Sequence, residues 1–272
     1  MALLIVACSS AASAPKPAPP LQKPALDAGV ERAKTIFDAQ LASLRKGGDN
    51  DGFLATFADD AVVLVPDARP VKDKQLALHD AIDYVADGDS AKVVVGTMAV
   101  GGNASAVWFN ATIDVTGTRT RTVRVTELAV APSWKVVAAA FTDTRTLIGM
   151  SSGRGSIEGA TKAGPLSQLL ASPTALDAAI AKDPALAVFG TDKKESAFGA
   201  VAAHKLVATW TKRKLSIEGT PREVTDKDWG FVQAHVNWDQ GEAGDLARLT
   251  ALVIGVPTKD GWEVVAVNFG VL

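Results

Sequence analysis

The sequence predicts an α+β protein of two tandem domains, each with N-terminal helices packed on a curved antiparallel sheet. Three observations predict it. First, Ser133-Trp134-Lys135-Val136-Val137-Ala138-Ala139-Ala140-Phe141 returns at the C-terminus as Gly261-Trp262-Glu263-Val264-Val265-Ala266-Val267-Asn268-Phe269. The Trp, the Val-Val-Ala run and the Phe keep their spacing, and an internal repeat marks a repeated unit. Second, each copy follows another apolar strand, Arg124 to Val130 in one and Arg248 to Ile254 in the other. Third, both halves run from helices through one strand and a further helix to four strands in succession.

Residues 9–25 are almost all Ala, Ser, Pro and Lys, which cannot build a core and read as a tether. Asp27 is the expected N-cap of a first helix with the stripe Val30, Ala33, Phe37, Leu41 and Leu44, stopped by Gly47-Gly48. A helical turn is expected through Phe53, Leu54 and Phe57, then a strand over 61–65 and a helix starting at Asp73. Strands follow over 91–100, 104–115, 119–131 and 134–144. The Gly- and Ser-rich stretch 146–164 links the halves; its Gly153-Arg154-Gly155 lacks the strand-to-helix context of a phosphate loop. In the second half, short helices over 166–170 and 174–182 precede a strand over 185–189. Ser196 is expected to cap a helix carrying Phe198, Val201, Ala202, Leu206 and Trp210, before strands over 212–218, 228–239, 246–256 and 262–271. The domains are therefore expected at 27–145 and 165–272, after a leader and tether over 1–26.

Composition narrows the function. Hydrophobic residues are 47% of the chain and charged ones 21%, so both halves can bury a core. The net charge is −2 and no basic block occurs, which leaves no electrostatic footprint for nucleic acid. No spacing of His, Cys, Asp or Glu points to a metal, and no cofactor is expected. Cys8 is the one cysteine, so no internal disulfide forms.

Ile5-Val6-Ala7-Cys8-Ser9-Ser10 resembles the lipobox of bacterial lipoproteins, in which the Cys is acylated and becomes the first mature residue. Signal peptides carry a basic start and an apolar segment of about 7–15 residues. Only Met1 to Ala7 precede Cys8, without Lys or Arg, so the natural start is expected further upstream. The resemblance implies a lipid-anchored protein of the cell envelope, and Ser9 and Ser10 imply the outer membrane.

Val188-Phe189-Gly190-Thr191-Asp192, a helix after it, and the closing Gly261-Trp262-Glu263-Val264-Val265 strand resemble SnoaL-like domains of the nuclear transport factor 2-like superfamily, which includes ketosteroid isomerases. This implies cone-shaped domains whose sheet and helices enclose a pocket. Catalytic members line that pocket with Asp, Tyr, His or Arg. Such chemistry needs a base beside a donor that stabilises developing charge. Tyr84, His79 and His204 fall off their helices' apolar stripes. Along 228–239 one face carries Trp229, Phe231, Gln233, His235, Asn237 and Asp239. That face either lines a pocket, with Asn268 and Arg248 beside it, or is the solvated side of the sheet; His235 with Asp239 is the candidate catalytic pair. Arg124 and Arg248 occupy equivalent places, as ion-pair partners across the sheet or as an anion site. The thin stock of titratable groups favours non-catalytic binding of a small apolar ligand or an envelope protein. The alternative is an isomerase, cyclase or hydrolase acting on a hydrophobic substrate. The aromatic Trp108, Phe231 and Trp229 predict that the halves pack sheet to sheet.

Overall fold

The computed structural model describes residues 23–45, 50–65, 92–117, 120–143, 157, 159–239 and 246–271. Cys8, His79, Tyr84 and the expected helix from Asp73 lie outside the described residues.

In the first domain, α1 (Lys23–Arg45) and α2 (Asn50–Leu54) precede β1 (Phe57–Leu64), β2 (Lys92–Gly102), β3 (Ala106–Thr116), β4 (Thr120–Val130) and β5 (Lys135–Asp143). The sheet order is β1-β5-β4-β3-β2. The last four strands form the expected antiparallel meander, while β1 joins parallel to β5, so the sheet is mixed. Phe57 belongs to β1 rather than to the helical turn, paired with Val136 of β5, and its ring lies tilted 5.3 Å from that of Phe53. Of the predicted stripe, Ala33, Phe37 and Leu41 of α1 are buried in one cluster with Phe109, Val125 and Phe141, while Val30 is half-buried. Asp27 does not cap this helix, which begins at Lys23.

The second domain repeats the plan with α3 (Pro165–Leu170), α4 (Pro173–Ala178), β6 (Ala187–Phe189), β7 (Ser196–Phe198), α5 (Ala200–Trp210), β8 (Lys214–Thr225), β9 (Gly230–Asp239), β10 (Leu246–Thr258) and β11 (Gly261–Val271). Its sheet runs β7-β6-β11-β10-β9-β8, with β6 parallel to β11. Two expectations are corrected here. Ser196 does not cap a helix; it lies in β7, and the helix begins after Gly199, whose φ of 76° is a conformation that glycine tolerates best. β8 continues past Glu218 because a register shift between Glu218 and Arg222 absorbs Gly219, Thr220 and Pro221 without ending the strand.

The link into this domain is anchored. The Glu223 carboxylate accepts from the backbone N–H of Gly164, Leu166 and Ser167 at 2.9–3.0 Å, satisfying the open donors at the start of α3.

The two sheets pack face to face, as the aromatic residues predict. Trp108, Leu128, Val130, Ala138 and Ala140 of the first domain form one buried cluster with Phe231, Leu252, Ile254, Val265 and Ala266 of the second. The repeat thus gives a pseudo-dimer within one chain. Trp134 and Trp262 are partly buried at the starts of the closing strands, each against its own domain. The Arg32 guanidinium lies 4.9 Å above the Trp134 ring.

Candidate functional site

Each domain has an interior between its helices and its sheet, and the two interiors differ. In the second, Val232, Ala234, Val236 and Trp238 of β9 point inward by strand alternation. Trp210 from α5, Trp238 and Phe269 from β11 meet edge to face with ring centroids 5.2–5.4 Å apart. All three rings are fully buried, so they plug the middle of this domain. Offset and edge-on pairs of this kind add roughly 0.5–1.5 kcal/mol each beyond area burial.

The first interior is aromatic too, from Phe37, Phe53, Phe57, Phe109 and Phe141, but it contains a carboxyl group. Along β4 the inward residues are Val123, Val125, Glu127 and Ala129, and Glu127 is 0% exposed. It stands opposite Phe109 on β3 and Ala139 on β5. Gln40 of α1 donates to Glu127 Oε2 at 2.9 Å and to Thr56 Oγ1 at 3.0 Å. Among the described residues Glu127 Oε1 has no hydrogen-bond partner. Burial pushes the Glu127 carboxyl up to about 8, against the opposing pull of the Gln40 donor, so the group is mostly a neutral acid at pH 7. The sequence held a signal for this site: an acid in the apolar register of a strand whose repeat has Ala251 at the matching position, three residues after Arg248.

The residues singled out from the sequence lie elsewhere. Gln233, His235 and Asn237 share the β9 face with Phe231, opposite the plugged interior, and Arg248 lies on the same face of β10. Burial lowers the His235 pKa while the Glu218 charge raises it, so the ring is neutral near pH 7. Arg248 pairs with Glu218 at 3.8 Å. His204 meets Asp177 at 2.9 Å on the surface. Asn268 sits in the seam between sheets, accepting from Thr142 Oγ1 at 2.7 Å and donating to Thr126 Oγ1 at 3.2 Å. Thr126 in turn donates to Asn110.

Arg124, the repeat partner of Arg248, crosses the seam. Its Nε donates to Ser196 Oγ at 2.9 Å, and its two terminal nitrogens donate to the carbonyls of Gly190 and Asp192. The same turn is held from its other side by Glu195, which accepts from the N–H of Thr191 and Asp192 at 2.9 and 3.1 Å. A Cβ at position 190 would fall 2.7 Å from Glu195 Cβ, so a larger residue there would have to displace Glu195 from the turn. Burial lowers the Arg124 pKa to about 10, opposed by Glu195, Asp192 and Asp143, and the guanidinium stays charged at neutral pH. The phenylalanine-glycine-threonine-aspartate turn is therefore a docking point for the first domain.

A shallow cleft of about 340 Å³ opens at one end of the seam, lined by Asn103, Trp108, Lys227, Asp228, Val256 and Pro257. Among the described residues no group of His, Cys, Asp or Glu is gathered to hold a metal ion. Among them, no helix is long and apolar enough to cross a membrane.

No family model matches the chain, and no curated protein does. Solved structures do. A protein of unknown function with a cystatin-like fold from Nostoc punctiforme shares 14% identity, over 42% of this chain and 89% of its own, at a TM-score of 0.35. A ketosteroid isomerase-like protein from Erwinia carotovora atroseptica shares 15%, over 43% of this chain and 97% of its own, at 0.35. An NTF2-like protein of unknown function from Pseudomonas putida shares 12%, over 39% and 78%, at 0.32. Each likeness spans about one domain and concerns fold alone.

Proposed function

We propose that the chain is a lipid-anchored protein of the bacterial cell envelope, attached to the outer membrane through Cys8, whose first domain binds a small apolar ligand without chemical turnover. The contrast between the interiors carries the reading. Trp210, Trp238 and Phe269 fill the second, while the first keeps a buried acid with one oxygen unpartnered among the described residues. The second domain then serves as a fixed cover for the first domain's sheet. Isomerisation or cyclisation needs a second positioned group that moves a proton or meets developing charge. The described polar neighbours of Glu127 are Gln40 and, beyond it, Thr56, neither of which titrates near neutrality.

A thermal-shift screen of neutral apolar molecules against the full chain tests this, because a ligand confined to the folded state raises stability by about 2.7 kcal/mol at a hundred times its Kd. Stabilising compounds are expected, and they should be recovered chemically unchanged. A rearranged or hydrolysed product overturns the non-catalytic reading; a screen without hits overturns ligand binding. The anchor has its own test. Expressed behind a complete signal, the protein is expected in the detergent phase and Cys8→Ser in the aqueous phase, since several acyl chains hold a protein where one binds reversibly. Equal partitioning would reject the anchor.

A further inference from the structure

The cleft at the end of the seam is built from segments of both domains. The turn between β2 and β3 brings Asn103 and Ala104, the turn between β8 and β9 brings Lys227 and Asp228, and β10 brings Val256 and Pro257. Bonds across the domain boundary fix its rim. Asn103 Nδ2 donates to the Asp228 carbonyl at 2.8 Å, and the Ser105 hydroxyl donates to Asp228 Oδ2 at 2.6 Å. Asn103 Oδ1 accepts from the N–H of Ser105 and Ala106, both at 2.9 Å, so its own turn is rigid. The Asp228 carboxylate is thus held in place, and contact with it costs little further ordering. Lys227 Nζ lies 3.6 Å from the same Oδ2, which leaves Oδ1 open among the described residues.

The backbone supplies a second acceptor. The β9–β10 ladder ends at the pair Gly230 and Gly255, whereas β10 stays paired with β11 as far as Thr258 and Gly261. Val256 to Thr258 therefore have one edge without a partner strand among the described residues. Lys259 and Asp260 form a two-residue hairpin loop, which makes Thr258 and Gly261 the hydrogen-bonded pair beside it. Pro257, one residue back, turns its carbonyl the other way, toward the open edge. Proline is tolerated there because it has no N–H to leave unpaired. The wall is apolar, from the Trp108 ring and Val256. The cavity, at about 340 Å³, is at the small end for a ligand site, and domain boundaries are a common place for one.

These groups select a ligand. Asp228 Oδ1 and the Pro257 carbonyl call for an ammonium, Lys227 for a carboxylate, and the wall for hydrocarbon. A simple anion would meet the Asp228 charge, and a simple cation would compete with Lys227. We propose that this cleft binds a free α-amino acid with an apolar side chain, its ammonium on Asp228 and Pro257 and its carboxylate on Lys227. The site is separate from the first domain's interior and does not rest on the reading given to it.

The probe is 4-fluorophenylalanine, titrated against the full chain by fluorine NMR beside its N-acetyl derivative, which lacks the ammonium, and its amide, which lacks the carboxylate. In the wild type the N-acetyl form is expected to bind about tenfold more weakly, the value of a charge-assisted hydrogen bond. The amide should bind about twofold to fivefold more weakly, the value of an exposed ion pair. Asp228→Asn keeps an acceptor for Ser105 but loses the charge, and should erase the preference over the N-acetyl form. Lys227→Met should erase only the preference over the amide. Lys227 is exposed, so this variant keeps the fold even where Asp228→Asn does not. Failure of the free amino acid to bind overturns the site. Equal binding of all three probes by the wild type overturns the amino-acid assignment. Preferences that survive both substitutions place the binding elsewhere and overturn the cleft as its seat.

Discussion

Arg124→Met is expected to lower the unfolding free energy by about 3 kcal/mol, whereas Arg248→Met lowers it by less than about 1. The two arginines hold matching places in the repeat, so sequence gives no reason for the difference. Structure does. Arg124 is fully buried and satisfies two carbonyls and a hydroxyl of the opposite domain. Removing it strands those acceptors at roughly 1–3 kcal/mol each, offset in part because the desolvation that depresses the guanidinium is relieved. The Arg248 pair with Glu218 is long and partly exposed, and such pairs are worth little. Arg124→Lys should recover only part of the loss, since an ammonium cannot fork to two carbonyls. Urea melts of the three variants are the check. Equal losses at both positions would refute the docking role, and so would full rescue by Lys.

The second large effect is pH dependence. The Glu127 carboxyl titrates near 8 in the folded chain, against a usual value near 4.5. The unfolded chain therefore releases this proton first. The Glu127 contribution to stability is greatest below about pH 4.5, falls as pH rises, and levels off above about 8, where the acid is ionised in both states. At about 1.36 kcal/mol per tenfold change in proton affinity, the loss across that window is on the order of 4–5 kcal/mol. Glu127→Gln cannot ionise and should remove this slope. Subtracting its unfolding free energies from the wild-type values, from acid to mildly alkaline pH, isolates Glu127 from every other carboxylate. A flat difference would show that the acid is ionised, or solvated, throughout.

Much of the fold was legible because strand order and alternation are local. The Trp134 and Trp262 repeats became β5 and β11, and the inward residues of β3 and β9 follow from alternation. Two errors came from features that local pattern does not carry. Ser196 reads as a helix cap until Arg124, distant in sequence, takes its hydroxyl. β8 reads as ending at Glu218 because Gly219 and Pro221 look like a stop, although the ladder resumes at Arg222. The interior carboxyl was missed for another reason. Alternation separates the two faces of a strand but does not say which one becomes the interior. The aromatic and polar face of β9 invited a pocket reading, yet Phe231 on it faces the other domain. Glu127 sat in plain view in the apolar register of β4, and only the burial of that register gives it meaning.

Joining the halves in one chain has a consequence for inheritance. In a two-fold homodimer every residue appears twice, so an aromatic plug that closes one interior closes both. A duplicated and fused chain is released from that constraint: each copy of a position mutates alone. Ala251 could stay small beneath its plug while Glu127 became an acid, and Arg124 could reach across while Arg248 stayed on its own sheet. Asymmetry of this kind is open to a fused pair and closed to a symmetric homodimer, which makes the covalent link a source of division of labour as well as of proximity.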